Sequence, residues 1–125
     1  MMEARNAMKR FLAIYLGAPE HVERSGWNAL TDDVRKARER AGFEAWMAWA
    51  RDHAGAIVDL GAPLGRTKRA DAAGIADVRN GMAGYVIVQA ESHEAAAKMF
   101  EAHPHFAIFP GESVEIMECL PLPAR

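Results

Sequence analysis

The chain has 125 residues, of which 50% are hydrophobic and 26% charged, and its formal net charge is −2 at pH 7. This composition is typical of one globular domain and gives no sign of the basic face that binds nucleic acid. A single cysteine, Cys119, excludes an internal disulfide and favours a reducing, cytoplasmic location. No run approaches the roughly 20 apolar residues that span a bilayer, so neither nucleic acid nor membrane is an expected partner.

The first half of the chain predicts a strand, two helical segments and a second strand. Residues 1–8 lack the features of a signal peptide and are expected to be loosely held, whereas residues 9–122 are expected to form one domain. Residues 10–16 are apolar and rich in strand formers, and Pro19 suits the start of a short helix. Thr31 is a good N-cap for a helix that Gly42 either kinks or divides in two. Residues 56–60 form a strand, and residues 61–74 a loop.

The second half predicts a hairpin, a helix and a last strand. The segments 75–79 and 83–90 flank Asn80-Gly81, a strong hairpin signal, and are expected to pair antiparallel. Ser92 caps a helix whose apolar stripe extends to His103, and Pro104 ends it and biases His103 away from helical ψ. Residues 113–120 form the final strand.

The predicted order of elements is that of an α+β, ferredoxin-like β-α-β-β-α-β domain. It has a four-stranded antiparallel sheet with helices on one face. The uncovered face would then carry Tyr15, Tyr85 and Ile87. Such an apolar face is unusual on a monomer. We therefore expect a homodimer in which two sheets pack face to face.

Several short segments carry a family resemblance over residues 9–122: KRFLAIYLG, AGAIVDLGAPLG, Lys68, GYVIVQAESHEAAAKMF, HPHF and VEIMECLPLP. In these segments the chain resembles the YCII-related proteins, which include the DGPF-domain group. The resemblance implies a dimeric α/β barrel, similar in build to muconolactone isomerases and small cofactor-free monooxygenases. It also implies lyase- or dehydrochlorinase-like chemistry by a His/Asp pair between sheet and helices.

The chain departs from that family pattern at two places. Members tend to carry a histidine on the first long helix, where this chain has Glu44, Trp46 and Trp49. Many carry Asp-Pro after the second helix, where this chain has His103-Pro104. The His/Asp pair is therefore not transferred intact, and a dyad here would take its histidine from position 103 or 105.

His105, His103 and Asp59 are the candidate catalytic residues. A neutral imidazole is well suited to proton transfer near neutral pH. Alternatively, His103 completes a helical stripe and His105 lies at the surface or an interface. Asp59, expected on the same strand face as Ile57, could orient a histidine or could cap the turn that follows it.

Four further residues are expected to bind a ligand: Tyr15, Trp49, Lys68 and Tyr85. Arg66, Lys68 and Arg69 could meet an anionic substrate, or they could be ordinary charges of a solvated loop. His93, His103 and His105 lack the spacing of a structural zinc site, so neither a metal nor another cofactor is predicted.

Two kinds of function remain open from the sequence. The first is a small-molecule-binding dimer with cofactor-free lyase, isomerase or dehydrochlorinase-like activity by histidine acid/base chemistry. The alternative is a non-catalytic module that binds a metabolite or serves as a dimeric interaction domain. A cluster of His103, His105 and Asp59 around an open pocket would favour the first, and a cleft filled by its own aromatic side chains would favour an interaction domain.

Overall fold

The computed structural model describes residues 8–123, so all but the last of the predicted loosely held residues 1–8 lie outside the described part. The strands are β1 (Lys9–Leu16), β2 (Ile57–Pro63), β3 (Thr67–Asp71), β4 (Gly74–Val78), β5 (Met82–Ala90) and β6 (Ser113–Glu118). The helices are α1 (Pro19–Ser25), α2 (Asp32–Asp52), α3 (His93–Lys98) and α4 (Pro104–Ala107), with a single 3-10 turn at Trp27–Ala29.

The helix starts follow the predicted capping residues. Thr31 Oγ1 accepts the Val34 N–H at 3.3 Å, and Ser92 Oγ accepts the Ala95 N–H at 3.0 Å. Each bond satisfies a backbone donor that a helix leaves unpaired at its N-terminus. Both predicted N-caps are confirmed.

Helix α2 runs unbroken through Gly42, where the sequence suggests a kink or a division. A β-carbon at position 42 would lie 2.5 Å from the ring of Phe109. The glycine is therefore a packing residue, which gives the ring room against the helix, and not a helix terminator. The helical hydrogen bonds continue because glycine lowers helix propensity without removing a donor.

Four strands form the main sheet in the order β2-β5-β1-β6, and all neighbouring strands are antiparallel. This order and the helices between the strands confirm the predicted α+β, ferredoxin-like fold. The core lies between one face of the sheet and helices α2 and α3. It consists of Phe11, Ala13, Tyr15, Trp49, Val86, Val88, Ala90, Ala96 and Phe100.

The predicted pairing across Asn80-Gly81 is wrong. Strand β4 pairs with β3, and the two form a separate hairpin next to the main sheet. Its turn is set by Gly74, whose φ is 124°, and by Asp71 Oδ1, which accepts the Ala73 N–H at 2.9 Å. Asn80 Oδ1 instead accepts the Met82 N–H at 2.9 Å and leads the chain into β5. Part of the predicted loop 61–74 is therefore strand.

Tyr15 lies on the opposite face of the sheet from the one predicted. Tyr15 lies opposite Gly84 on the helix-covered face and is buried, whereas Ile14 lies opposite Tyr85 on the other face. Side chains alternate along a strand, so Tyr15 shares a face with Phe11 and Ala13 and not with Tyr85. The open face still carries apolar groups, including Ile14 and Ile87.

No helix within residues 8–123 is both long enough and apolar enough to cross a membrane.

Candidate functional site

A cavity of about 360 Å³ opens between helix α2 and the helix-covered face of the sheet. It lies where β2 and β5 meet, and aromatic and aliphatic side chains make most of its wall. Its lining consists of Tyr15, Phe43, Trp46, Met47, Leu60, Gly61, Ala62, Pro63, Ala83, Gly84, Tyr85, His105 and Phe109. A small concave site with few polar groups is the usual form of a ligand pocket.

The polar side of this cavity is formed by Tyr15 and His105, with His103 directly behind them. The His105 backbone N–H donates to His103 Nδ1 at 3.0 Å. His103 Nε2 lies 3.4 Å from the Tyr15 hydroxyl oxygen, and His105 Nε2 donates to the Leu16 carbonyl oxygen at 2.7 Å. Residues of β1 and of the start of α4, which are distant in the sequence, are thus connected by hydrogen bonds at one site.

Pro104 explains how the chain brings both histidines to this place. Helix α3 ends at Lys98 and not at Pro104 as predicted, and Ala102, just before His103, has a positive φ of 55°. His103 itself is extended, with φ −62° and ψ 143°, as predicted for the residue before a proline. It therefore serves as the N-cap of α4 and does not extend the stripe of α3. Both imidazoles are buried, which excludes a surface position for His105.

His103 is enclosed by aromatic rings. Its ring centroid lies 4.6 Å from that of Trp46, 4.7 Å from Trp49 and 5.2 Å from Tyr15. Burial lowers the pKa of His103 to about 3, and the neighbouring His105 and His53 act in the same direction. The ring is therefore neutral near pH 7.

The pKa values of the two cavity-lining groups are also displaced by burial. Burial lowers the pKa of His105, although its backbone hydrogen bonds at Leu16 and Ser113 act in the opposite direction. Burial raises the pKa of Tyr15 well above its usual range. Near neutral pH the cavity therefore presents a neutral imidazole and a protonated phenol, and neither carries a charge.

Asp59 is not brought to the histidines. The register pairs Ile57 with Val88 but Asp59 with Ile87, because a bulge interrupts β2 between them. A bulge adds one residue to a strand and so reverses the facing of the residues that follow. The expected shared face with Ile57 is wrong. Asp59 is exposed, and its Oδ1 accepts the Gly61 N–H at 2.9 Å, which is the alternative turn-capping role.

Trp46, and not Trp49, lines the cavity. Trp49 is 7% exposed and belongs to the core, where its Nε1 donates to the Met99 carbonyl oxygen at 2.7 Å. Phe43, Trp46 and Met47 are the aromatic and aliphatic residues that α2 contributes to the wall. Their i, i+3, i+4 spacing is visible in the sequence and indicates one shared helix face, but it does not reveal what that face covers.

Lys68 lies in a different cleft from the histidines, whereas Tyr85 is at the edge of their cavity. The Lys68 ammonium pairs with Asp77 Oδ1 at 2.7 Å across the β3–β4 hairpin, and both side chains are largely exposed. Lys68 lines a separate open cleft of about 1050 Å³ together with Arg66 and Arg79. Tyr85 borders the histidine cavity, but its register with Ile14 assigns its ring to the open face of the sheet.

His93, His103 and His105 each make hydrogen bonds within the protein. His93 Nε2 hydrogen-bonds the Ile116 carbonyl oxygen at 2.7 Å, while His103 and His105 are engaged in the contacts described above. Within residues 8–123, no group of three histidine, cysteine, aspartate or glutamate side chains is arranged to hold a metal ion.

Comparisons with known proteins give a weak structural likeness. No family model matches the chain, and no curated protein matches it significantly. Among solved structures, the chain is similar to 5-chloro-2-hydroxyhydroquinone dehydrochlorinase from Burkholderia phenoliruptrix AC1100 in complex with 2,5-dihydroxybenzoquinone. The TM-score is 0.49 and the identity 16%, over 86% of this chain and 89% of that one. This similarity is too low to assign a function.

Proposed function

We propose that the domain binds a small, uncharged, ring-shaped molecule in the cavity beside His105. The observation that carries this proposal is the position of one neutral imidazole and one phenol in a wall that is otherwise almost entirely apolar. Apolar walls favour flat hydrophobic groups, and burial of a charged ligand without a partner would be costly. The few polar groups would fix the orientation of the bound molecule.

The proposed chemistry is cofactor-free acid/base catalysis of the lyase or isomerase type, dehydrochlorination included. His105 Nε2 carries a hydrogen, because it donates to the Leu16 carbonyl oxygen. Its Nδ1 is therefore the basic nitrogen of the neutral ring. A base that remains neutral near pH 7 can take a proton from a carbon next to a ring carbonyl group. Asp59 has no part in this mechanism.

The proton and electron changes are those of an enolisation or an elimination. His105 removes a proton from the ligand carbon, and the C–H electron pair forms a double bond. In an isomerisation, the π pair of the neighbouring carbonyl group moves onto its oxygen, and His105 returns the proton to a different atom as that pair re-forms the C=O bond. In an elimination, an anionic group leaves the adjacent carbon with its bonding pair, and His105 passes the proton to solvent.

The test is deuterium exchange of a small cyclic ketone, with indanone as probe. We expect the protein to accelerate the loss of the α-proton NMR signals in deuterated buffer. H105N should slow this exchange by about 100-fold, because general-base groups contribute on this order. H93N is the matched control, since His93 lies outside the cavity wall, and it should exchange at the wild-type rate.

The outcomes separate the two open functions. Exchange that is equally fast in H105N and in the wild type would contradict the role of His105. Saturable binding of indanone without any exchange would favour the alternative, a non-catalytic metabolite-binding module. No binding of neutral ring compounds at millimolar concentration would contradict the proposed function and metabolite binding alike, and would favour a dimeric interaction domain.

The homodimer is a second part of this proposal. The open sheet face carries Leu12, Ile14, Tyr85 and Ile87, and Met117 beside them is 43% exposed. A second copy offers the same face and could bury it. The motif resemblance to the YCII-related family supports this assembly, and a cytoplasmic location would keep the exposed Cys119 reduced.

A further inference from the structure

The hydrogen bond to His103 Nδ1 determines the direction of the other hydrogen bonds at this site. Its donor is the backbone N–H of His105, at 3.0 Å. A backbone amide can only donate, so Nδ1 must hold a lone pair. The ring is neutral near pH 7, because burial lowers its pKa to about 3. A neutral imidazole with a lone pair on Nδ1 carries its hydrogen on Nε2.

That hydrogen lies toward Tyr15. His103 Nε2 and the Tyr15 hydroxyl oxygen are 3.4 Å apart, a long hydrogen bond. Because Nε2 is the donor, the tyrosine oxygen is the acceptor. The phenol keeps its own proton, since burial raises the pKa of Tyr15. This proton cannot point at Nε2–H and must be directed elsewhere.

The Tyr15 hydroxyl hydrogen is therefore directed toward the cavity. Within residues 8–123, the Tyr15 oxygen has no hydrogen-bond partner besides His103. Tyr15 is part of the cavity lining, beside Trp46 and Gly84. A donor in such an apolar wall gains most from a ligand atom that accepts its hydrogen.

From this geometry we infer that the cavity selects a ligand that presents an uncharged hydrogen-bond acceptor, a carbonyl oxygen, to Tyr15. The inference rests on the proposed function and adds the ligand class to it, namely ring ketones, quinones and lactones. Ligands whose polar group can only donate are disfavoured, because they would place a donor against a donor. His103 is the positioning residue, and Tyr15 is the residue that contacts the ligand.

The first experiment measures the tautomer of His103 without any ligand. Long-range proton–nitrogen correlation NMR of the nitrogen-labelled protein distinguishes a protonated Nε2 from a protonated Nδ1. We expect the hydrogen on Nε2 near neutral pH. A hydrogen on Nδ1, or a doubly protonated ring, would overturn the inference. The spectrum reports the proton position directly, and the ligand comparison then tests whether this position affects binding.

The second experiment compares three ligands of similar shape: indanone, which carries an acceptor, indole, which carries an N–H donor, and indane, which carries neither. We expect the wild type to bind indanone about tenfold more tightly than the other two, which corresponds to about 1.4 kcal/mol. Y15F should bind all three equally. An undiminished preference for indanone in Y15F would overturn the inference.

H103N provides a second variant that keeps the cap of α4. Asparagine is a good N-cap and can accept the His105 N–H, but it is too short to replace the imidazole Nε2 beside Tyr15. We expect H103N to fold and to discriminate less between indanone and indole, because Tyr15 is free to turn its hydroxyl. Unchanged discrimination would contradict the positioning role.

The failure of the proposed function gives a different result. If none of the three ligands binds at millimolar concentration, the proposed function and the ligand class that rests on it are both wrong. The NMR spectrum still decides the direction of the His103–Tyr15 hydrogen bond. If indanone binds but Y15F keeps the wild-type preference for indanone over indane, the proposed function stands and the acceptor inference falls.

Discussion

His103 combines two roles in one imidazole ring. Nδ1 completes the start of helix α4, and Nε2 contacts the phenol that lines the cavity. The ring is fully buried, with 0% exposure, among Tyr15, Trp46, Trp49 and Phe100. A polar side chain can be buried in this way because both ring nitrogens have partners.

The burial of His103 predicts a loss of stability in acid. Above pH 6.5 the ring is neutral in the folded and unfolded states, so it adds no pH dependence. Below that value the unfolded chain binds a proton that the folded chain, with a pKa of about 3, does not. The free energy of unfolding should therefore fall by about 1.4 kcal/mol per pH unit between these values. Urea titrations at several pH values measure this slope.

H103N tests the origin of that slope. The variant keeps an acceptor for the cap but has no titrating group at position 103. We expect it to be less stable than the wild type near neutral pH, and the difference should narrow as the pH falls. Parallel curves for the two proteins would show that His103 is not responsible. His105, whose pKa is also lowered, leaves a residual slope of the same sign in both.

At the scale of elements, the close approach of α4 to the segment before β6 holds His105 in place. A β-carbon at Gly111 would lie 2.3 Å from His105 Cε1, Nε2 and the backbone oxygen. Gly111 N–H also donates to that oxygen at 2.9 Å. The absence of a side chain at position 111 therefore determines where the imidazole sits.

G111A should destabilise the protein and disturb the cavity. We expect a loss of about 1 to 3 kcal/mol, the usual cost of overpacking, because backbone atoms as well as the ring must move. Chemical denaturation measures the stability, and the loss of indanone binding reports on the cavity. G55A is the matched control, since a β-carbon there meets nothing within 4 Å. Equal stability of the two variants would contradict the packing role.

The β3–β4 hairpin is the element that the sequence describes least well. Its strands pair with each other, and most of their residues are exposed, with Ile75 75% exposed. Residues 75–79 are correctly predicted to form a strand, but that strand pairs with β3 and not with β5. Asn80-Gly81 has the composition of a hairpin turn, yet both residues belong to the link into β5. Composition alone does not distinguish these pairings, because both use a short turn rich in glycine.

At the scale of the whole molecule, the open sheet face predicts self-association. We expect the wild type to have twice its chain mass of 13.7 kDa in multi-angle light scattering. I14K/I87K should reduce this to the chain mass, because two buried charges in a face-to-face interface would lack partners. L122K is the control, since Leu122 is 92% exposed in the tail. A monomeric wild type at micromolar concentration would contradict the homodimer.

The sequence by itself determined the fold class. Alternating apolar residues in β1 and β5 and the caps Thr31 and Ser92 are local signals, and each depends on near neighbours in the chain. The predicted helix end at Pro104 is wrong, because α3 ends at Lys98 and Pro104 begins α4. The sequence also indicates the two histidines of the His-Pro-His segment as candidate site residues. Local backbone rules explain its conformation, because proline restricts the residue before it.

Only the tertiary structure decided which residues share the cavity. A bulge between Ile57 and Asp59 turns the expected carboxylate away from the histidines. No residue type in β2 indicates that bulge. The pairing of Tyr15 with Gly84 assigned the tyrosine to the helix side, 88 residues from its partner His103. Side-chain alternation defines two strand faces but not which one the helices cover. That choice depends on long-range packing, which periodicity in the sequence does not encode.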